Sequence, residues 1–334
     1  MKSKLISSED LYDKLNEVFI NAGLCQKESK DMANYFVTVE KMGIRTHGLS
    51  TIKTHLNKIN SKQYNLKPNF SLEEKLCCLS IGNSDNAIGI ISATYFMNYC
   101  VKLAKEKGIY IVHTNNSNTY GAAAYYNYLI QKNGLIGITF CNTPAAMAAY
   151  GGKLPLFGTN PFSIAIPANK MPPFILDIST SIVAKSKINI ARINNQKIPE
   201  GWALDIEGNP TTDPISAIKG TILPMAGHKG AGIAMAIDIV AGLLSGAAYQ
   251  DNVKKFYRDD ECSSMNVGQV FIAIDPTKIY GASFFGDMDL YLKKVINQES
   301  REEFSLRYPG LDLSRRIERA EREGVTIDTS LLSL

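Results

Sequence analysis

The chain has 334 residues, of which 45 % are hydrophobic and 20 % charged, and this globular composition excludes intrinsic disorder as the main state. The formal net charge of +4 comes from scattered Lys and Arg residues, so no nucleic-acid partner is predicted. Only four histidines are present, which argues against a zinc enzyme with several histidine ligands, and we expect no metal.

The first part of the chain, residues 1–75, predicts a small helical layer. Ser7 is a typical N-cap, and apolar residues at helical spacing follow it until Gly23 ends the helix. A second helix is predicted over residues 27–42, again with one apolar face.

Alternating strands and helices are predicted from residue 76 onwards. The predicted strands cover residues 76–81, 109–113 and 135–141, and the predicted helices cover 92–107 and 122–132. Four side chains of the first of these helices are predicted to face inward: Tyr95, Phe96, Tyr99 and Leu103. This alternation with short connections predicts an α+β or mixed α/β fold.

Residues 231–249 are nearly all apolar, but Asp238 stands at their centre. A charge in the middle of a membrane span costs about 2.5–3.5 kcal/mol, so we predict a buried core helix and no membrane partner. The last predicted helix, residues 314–323, is rich in Arg and Glu, with Ile317 and Ala320 packing inward.

The six cysteines contain no C-x-x-C pair, and scattered cysteines in a chain of this size are typical of buried thiols in a reducing cytoplasm. The polar, acidic N-terminus does not have the pattern of a signal peptide. We therefore expect a cytoplasmic protein.

The sequence lacks the short motifs of several large enzyme classes. There is no G-x-G-x-x-G, no G-x-x-x-x-G-K-[ST], no H-E-x-x-H and no G-x-S-x-G. The residues alone therefore predict an α/β enzyme without identifying its reaction.

Five loop segments are rich in Gly, Pro, Asn and Thr, which suits close contact between backbone and ligand. They are residues 45–48, 115–121, 143–161, 177–187 and 227–232. Each also has a purely structural interpretation, as a helix cap, a tight turn or a solvated lysine.

Taken together and in order, these segments resemble the type 2 malate/L-lactate dehydrogenases. This family includes ureidoglycolate and sulfolactate dehydrogenases, 2,3-diketogulonate reductase and piperideine-2-carboxylate reductase. The most specific matches are Gly151-Gly152 with LFGTNP at 156–161, IPEGWA at 198–203, NPTTDP at 209–214 and RYPG at 307–310. The resemblance runs from Leu11 to about Asp328.

The resemblance implies a nicotinamide-dependent oxidoreductase whose fold is not a Rossmann fold. It also implies that a cofactor-binding α/β domain with a mixed sheet, residues 76–289, is inserted in a helical domain formed by both chain ends, residues 1–75 and 290–334. The family's usual homodimer is also expected. The implied contacts of NAD or NADP are Thr143, Thr159, Asp177, Ile178, Ser179, Thr180, Ser181, His228, Lys229, Gly310 and Leu311.

In the same comparison, His47 matches the family's catalytic histidine, with Thr46 beside it. Two positions depart from the family pattern: Thr51 replaces the usual carboxylate-binding Arg, and Thr119 replaces a second His. Threonine neither titrates near pH 7 nor forms a guanidinium fork. Candidates for the missing substrate contact are Arg45, Lys53 and His55.

Three functions are compatible with this pattern. The first is a hydride transfer between the nicotinamide and a small 2-oxo or 2-hydroxy acid, in which His47 donates the proton and Thr46 and Thr119 position the reacting atom. The second is the reduction of an imine, including a cyclic imine. The third is an NAD(P)-binding protein that has lost turnover.

Overall fold

The chain forms a mixed α/β fold built around one large sheet. A computed structural model describes residues 3–256 and 264–328. Its strands are β1 (Ser3–Ile6), β2 (Ser71–Leu76), β3 (Leu79–Asn83), β4 (Ile109–Ser117), β5 (Ile136–Cys141), β6 (Phe162–Ile166), β7 (Phe174–Ile178), β8 (Ala203–Leu204), β9 (Pro210–Thr211), β10 (Thr221–Ile222), β11 (Val267–Ile274) and β12 (Val325–Asp328).

The helices surround this sheet. They are α1 (Ser8–Asn21), α2 (Gln26–Met42), α3 (Ile52–Asn60), α4 (Gly89–Lys107), α5 (Ala123–Lys132), α6 (Lys185–Ile193), α7 (Pro214–Lys219), α8 (His228–Ile237), α9 (Pro276–Tyr280), α10 (Phe284–Ile296) and α11 (Leu311–Glu323). Short 3₁₀ turns cover Arg45–His47, Leu49–Thr51 and Gln250–Asn252, and a π-helical turn covers Asp238–Leu243.

The large sheet has seven strands in the order β2-β3-β4-β11-β5-β6-β7. Only the pairing of β3 with β4 is parallel, so the predicted mixed sheet is confirmed. The order places β11, which is late in the chain, between β4 and β5. This topology places a strand from the C-terminal half of the chain at the centre of the sheet.

Helices α4 and α5 pack on the sheet, α2 packs against them, and α1 packs on α2. All four share one continuous apolar core that includes Leu15, Phe36 and Phe96. The two ends of the chain meet where β1 pairs antiparallel with β12, and Ile317 and Ala320 of α11 are buried, as predicted. The proposed domain boundaries at residues 75/76 and 289/290 stay a prediction.

Three predictions about residues 76–121 are wrong in part. Residues 76–81 are not one strand, because Cys77 and Cys78 form the turn between β2 and β3. Tyr95 does not face inward: it is 37 % exposed, and its ring packs on Phe70 at the surface. The Asn-rich segment begins inside a strand, since β4 continues to Ser117.

The apolar segment 231–249 is not one buried helix. Helix α8 ends at Ile237 and a π-helical turn follows. Its Asp238 is buried and accepts hydrogen bonds from Asn142 Nδ2 at 3.2 Å and from the amide of Gln250 at 3.0 Å. One side of the segment contacts β11, whereas several of its large apolar side chains remain exposed.

The cysteines within the described residues are all free thiols: Cys25, Cys77, Cys78, Cys100 and Cys141. Cys25 and Cys77 are exposed rather than buried, and Cys262 lies outside the described residues. In residues 3–256 and 264–328, no group of three His, Cys, Asp or Glu side chains is arranged to hold a metal ion. No helix in these ranges has the length and apolar character needed to span a membrane.

Candidate active site

One cavity of about 840 Å³ lies between the α2–α3 connection, the start of α5, the loops that follow β5 and β7, and the start of β11. Ten of the residues predicted from the sequence line it together, although they come from distant parts of the chain. They are Thr46, His47, Thr51, His55, Thr119, Thr143, Thr159, Asp177, Ile178 and Ser179.

A tight turn after α2 positions His47. Helix α2 ends at Gly43, whose φ of +76° reverses the chain. The buried carboxylate of Glu40 then accepts a hydrogen bond from the amide of Leu49 at 2.8 Å. A Cβ at Gly48 would lie 2.1 Å from Glu40 Oε1, so this close approach requires glycine. Gly48 therefore supports the turn beside His47.

A hydrogen bond holds one ring nitrogen of the His47 imidazole. The hydroxyl of Thr46 lies 3.0 Å from His47 Nδ1, which leaves Nε2 for a ligand. The ring is accessible from the cavity, but protein atoms surround it, and this burial lowers the pKa of His47 below its usual value. His47 is therefore mainly neutral at pH 7.

Tyr35 connects this turn to the start of α5. Its hydroxyl donates to the carbonyl oxygen of His47 at 3.1 Å and accepts from the amide of Ala122 at 2.8 Å. Gly121 lies so close that a Cβ there would be 1.7 Å from the phenolic oxygen. The sequence does not indicate Tyr35 as a site residue, because its position in α2 has the spacing of a core residue.

Thr51 and His55 lie deeper in the wall. The hydroxyl of Thr51 donates to the carbonyl oxygen of Gly48 at 2.9 Å. His55 is 2 % exposed, and its Nδ1 lies 3.2 Å from the hydroxyl of Tyr64. Burial, together with the nearby charge of Lys58, lowers the pKa of His55 to about 3. His55 is therefore neutral throughout the physiological pH range.

Asp177, near the end of β7, also lines the cavity. Its carboxylate accepts a hydrogen bond from the amide of Ala124 at 3.1 Å. Helix α5 starts after Ala122, which has no capping side chain, so Asp177 supplies the acceptor that the helix N-terminus requires. Burial raises the pKa of Asp177 to about 6.

The two predicted threonines of the coenzyme side, Thr143 and Thr159, both lie next to Asn160. Asn160 Oδ1 accepts from the amide of Thr143 at 2.9 Å, and its Nδ2 donates to the carbonyl of Ala234 at 2.9 Å. Gly158 has no room for a side chain, since a Cβ would lie 2.1 Å from Thr143 Oγ1. Thr159, which precedes Asn160, also lines the cavity.

Seven predicted site residues lie outside the cavity lining of this chain. Thr180 is buried and bonds to the carbonyl of Thr159, and Ser181 donates to that of Val183. Gly310 and Leu311 form the packed start of α11. Arg45, His228 and Lys229 are exposed, with the His228 ring against Tyr150. Their ligand contacts stay predictions.

The cavity also contains residues that the sequence does not indicate. Met265 and Val267 reach it because β11 lies centrally in the sheet, and Phe256 also lines it. Asn142 precedes Thr143, and its Nδ2 bonds to Asp238 at 3.2 Å. No local sequence pattern identifies these residues as part of the site, which depends on the order of the strands in the sheet. Lys53, a suggested substrate contact, is exposed and does not line the cavity.

Comparisons with known proteins match most of the length of this chain. The family model for malate/L-lactate dehydrogenase matches residues 6–334. Ureidoglycolate dehydrogenase (NAD(+)) of Escherichia coli O157:H7 is 31 % identical over 331 residues, 96 % of this chain and 92 % of the relative. (2R)-3-Sulfolactate dehydrogenase (NADP(+)) of Chromohalobacter salexigens is 31 % identical over 288 residues, 86 % of this chain and 84 % of the relative. Relatives therefore include both NAD- and NADP-dependent dehydrogenases.

The fold agrees equally well with a solved structure. Sulfolactate dehydrogenase from Methanocaldococcus jannaschii superposes with a TM-score of 0.90 and 33 % identity, covering 98 % of this chain and 94 % of that chain. The mixed sheet and its surrounding helices are thus those of a known enzyme family, and the chain belongs to the malate/L-lactate dehydrogenase family of oxidoreductases.

Proposed function

We propose that this protein is an NAD(P)-dependent oxidoreductase that moves a hydride between the nicotinamide and a small 2-oxo or 2-hydroxy acid. One observation carries the proposal: a single cavity contains both His47 with Thr46 and Thr119, the expected acid–base side, and Thr143, Asp177 and other expected coenzyme contacts. Its volume of about 840 Å³ lies in the range of cofactor pockets, roughly 300–1,000 Å³.

The lining fits a dinucleotide chemically. Pro144, Ala145 and Ile178 provide apolar surface for flat rings, and Lys185 and Lys255 provide positive charge for phosphates. Ser186 Oγ is buried without a hydrogen-bond partner in the described chain, which suits a ligand acceptor. When bound, the nicotinamide supplies or accepts the hydride.

In the reductive direction, His47 Nε2 gives a proton to the oxygen of the 2-oxo group. Thr46 fixes the other ring nitrogen, and the Thr119 hydroxyl is available to orient the same oxygen. In the oxidative direction the neutral imidazole, favoured by the lowered pKa of His47, accepts the hydroxyl proton.

Purified protein mixed with NADH or NADPH and a panel of 2-oxo acids tests this function. We expect coenzyme oxidation with at least one 2-oxo acid, followed by the absorbance of the reduced nicotinamide, and its loss in His47→Ala. Reduction of cyclic or amine-derived imines alone would support the imine reductase instead. Coenzyme binding without turnover of any panel member would support a protein that has lost activity.

We also propose that the protein is a homodimer. Large apolar side chains on and after α8 are exposed in the single chain, including Met235 at 50 %, Leu243 at 54 % and Leu244 at 61 %. Contiguous exposed apolar surface is typical of protein interfaces, and a second copy of this chain is the partner that covers it. Light scattering after size exclusion is expected to give twice the chain mass, and Leu243→Lys is expected to shift it to the monomer.

A cytoplasmic location is part of the same proposal. It is supported by the free thiols of the described cysteines, since a reducing compartment keeps cysteines in that state. Fractionation of cells that produce the protein tests it, and recovery from a secreted or membrane fraction would contradict it.

A further inference from the structure

The hydroxyl of Tyr35 forms a bridge between two backbone segments in the cavity wall. It donates to the carbonyl oxygen of His47 at 3.1 Å and accepts from the amide of Ala122 at 2.8 Å. A phenol has one proton to donate, so the hydrogen bond to His47 uses the donor capacity of Tyr35 completely. Burial raises the pKa of Tyr35 well above its usual value, which keeps this proton on the hydroxyl at neutral pH. The bridge is therefore permanently formed in the folded protein.

The two bridged segments carry the groups expected to act on the substrate. Residues 45–51 contain His47, and residues 117–124 contain Thr119; both side chains line the cavity. Among the hydrogen bonds of the described residues, none runs directly from one segment to the other. The position of His47 relative to Thr119 is therefore set by the Tyr35 bridge and by packing.

The bridge is rigid because the ring of Tyr35 is held on two sides. The rings of Phe36 and of Tyr125 in α5 contact it edge-on, with centroid distances of 5.1 Å and 4.9 Å, a favourable aromatic geometry. The backbone of Gly121 also passes close to the hydroxyl, since a Cβ there would lie 1.7 Å from the phenolic oxygen. A shift of either segment therefore disturbs the bridge.

The position of the His47 backbone matters for proton transfer. A proton donor acts only within hydrogen-bond reach of the substrate atom, about 2.6–3.2 Å, and a misplacement of about 1 Å can cost about 10²-fold in rate. Thr46 bonds to the imidazole at 3.0 Å and so fixes its rotation, but this neighbour moves together with His47. Tyr35 belongs to α2 and fixes the backbone itself.

We propose that Tyr35 is a positioning residue, whose hydroxyl holds the backbone of His47 against the start of α5 so that His47 and Thr119 reach the same substrate oxygen. This role rests on the proposed function, because it concerns the proton transfer assigned to His47. Tyr35 is not itself the proton donor, since its proton is bonded to the His47 carbonyl.

Tyr35→Phe tests this role, because it keeps the ring and removes the bridge. The matched control is Tyr110→Phe: Tyr110 is equally buried, its hydroxyl lies 2.7 Å from Ser80 Oγ, and it does not line the cavity. Both variants lose a buried hydrogen bond, so both are expected to lower the Tm. Only Tyr35→Phe is expected to lower kcat, by about ten-fold, with an unchanged Kd for the coenzyme. Equal kcat values of the two variants would overturn the proposal.

A double variant separates positioning from general damage to the fold. His47→Asn has no proton donor, so the position that Tyr35 sets no longer matters for the remaining rate. Adding Tyr35→Phe to this variant is therefore expected to leave kcat unchanged. A further loss of about ten-fold would contradict the proposal, because that loss would not act through His47.

NMR of protein with labelled histidines follows His47 without any turnover. Only four histidines are present, and His47→Asn identifies the signal. Burial lowers the pKa of His47, so loosening the turn by Tyr35→Phe is expected to move this pKa towards the ordinary 6.5, whereas Tyr110→Phe leaves it in place. An unchanged titration in Tyr35→Phe would overturn the proposal. If the unaltered protein turns over no substrate, the proposed function fails, while this titration still decides whether Tyr35 positions His47.

Discussion

The hydroxyl of Thr46 lies 3.0 Å from Nδ1 of His47, and this contact sets the orientation of the imidazole in the cavity. Thr46→Val keeps the shape of the side chain and removes the hydrogen bond. We expect kcat to fall about five-fold, because one net hydrogen bond is worth about 1 kcal/mol. Steady-state kinetics with the substrate found in the panel measure this change.

Thr46→Ser is the matched control, since it keeps the hydroxyl. It is expected to retain most of the activity. Equal activity of the valine and serine variants would show that the contact between Thr46 and His47 has no role in the reaction.

The pH profile of reduction is expected to follow His47. Its pKa is lowered below 6.5 by burial, and the protonated form is the proton donor. Above this pKa, kcat/KM for reduction is therefore expected to fall about ten-fold per pH unit. The kcat/KM for oxidation, which needs the neutral form, is expected to rise up to this pKa and to stay level above it.

His47→Asn provides the control for this profile. We expect it to lower the rate by about 10²–10⁴-fold and to remove the pH dependence that His47 causes. A reduction rate of the unaltered protein that stays constant between about pH 5 and about pH 8, where histidines ordinarily titrate, would contradict the assignment of His47.

His55 is expected to make stability depend on pH. Its folded pKa is about 3, against an ordinary value of 6.5, so the unfolded chain binds the proton more readily. The free energy of unfolding then decreases as the pH falls from about 6.5 towards about 3, by up to about 1.4 kcal/mol per pH unit. Urea unfolding at several pH values measures this slope.

His55→Gln removes the titrating group and is expected to flatten the slope. Asp177, whose folded pKa is raised to about 6, acts in the opposite direction but is present in both proteins, so the difference between their slopes isolates His55. Identical slopes would mean that His55 is not held neutral in the folded state.

The helical layer and most elements of the sheet can be predicted because their signals are local. Ser7 caps α1 by accepting from the amide of Asp10 at 3.0 Å, and the apolar spacing of α2 gives its buried face. The turn at Cys77 and Cys78 escapes prediction because neither residue is a typical turn former, and β2 is too exposed to have a clear alternation.

The proposed catalytic side of the cavity can be predicted only through family resemblance. His47 and Thr119 both line one cavity, but nothing in their local sequence shows that they meet. Lys255 and Met265 reach it because β11 lies between β4 and β5. That order depends on tertiary packing, which periodicity does not encode. The sequence likewise does not predict that one side of residues 231–249 is exposed, because their apolar composition also suits a buried helix.

Gly310 is expected to be essential for the packing of α11 on the sheet. Its φ is +100°, and a Cβ would lie 2.4 Å from the carbonyl oxygen of Pro173 and 2.5 Å from the amide nitrogen of Ile175. Gly310→Ala therefore strains the backbone and pushes on β7, and we expect it to destabilise the protein by about 2 kcal/mol or more. Urea unfolding measures the effect.

Gly286, in α10, is the matched control, because a Cβ at this position would have no other atom within 4 Å. Gly286→Ala is expected to stabilise the protein by about 0.5–1 kcal/mol, since alanine is the better helix former. The two alanine variants should therefore move the free energy of unfolding in opposite directions. An equally small change in both would show that the contact between α11 and β7 tolerates a side chain at Gly310.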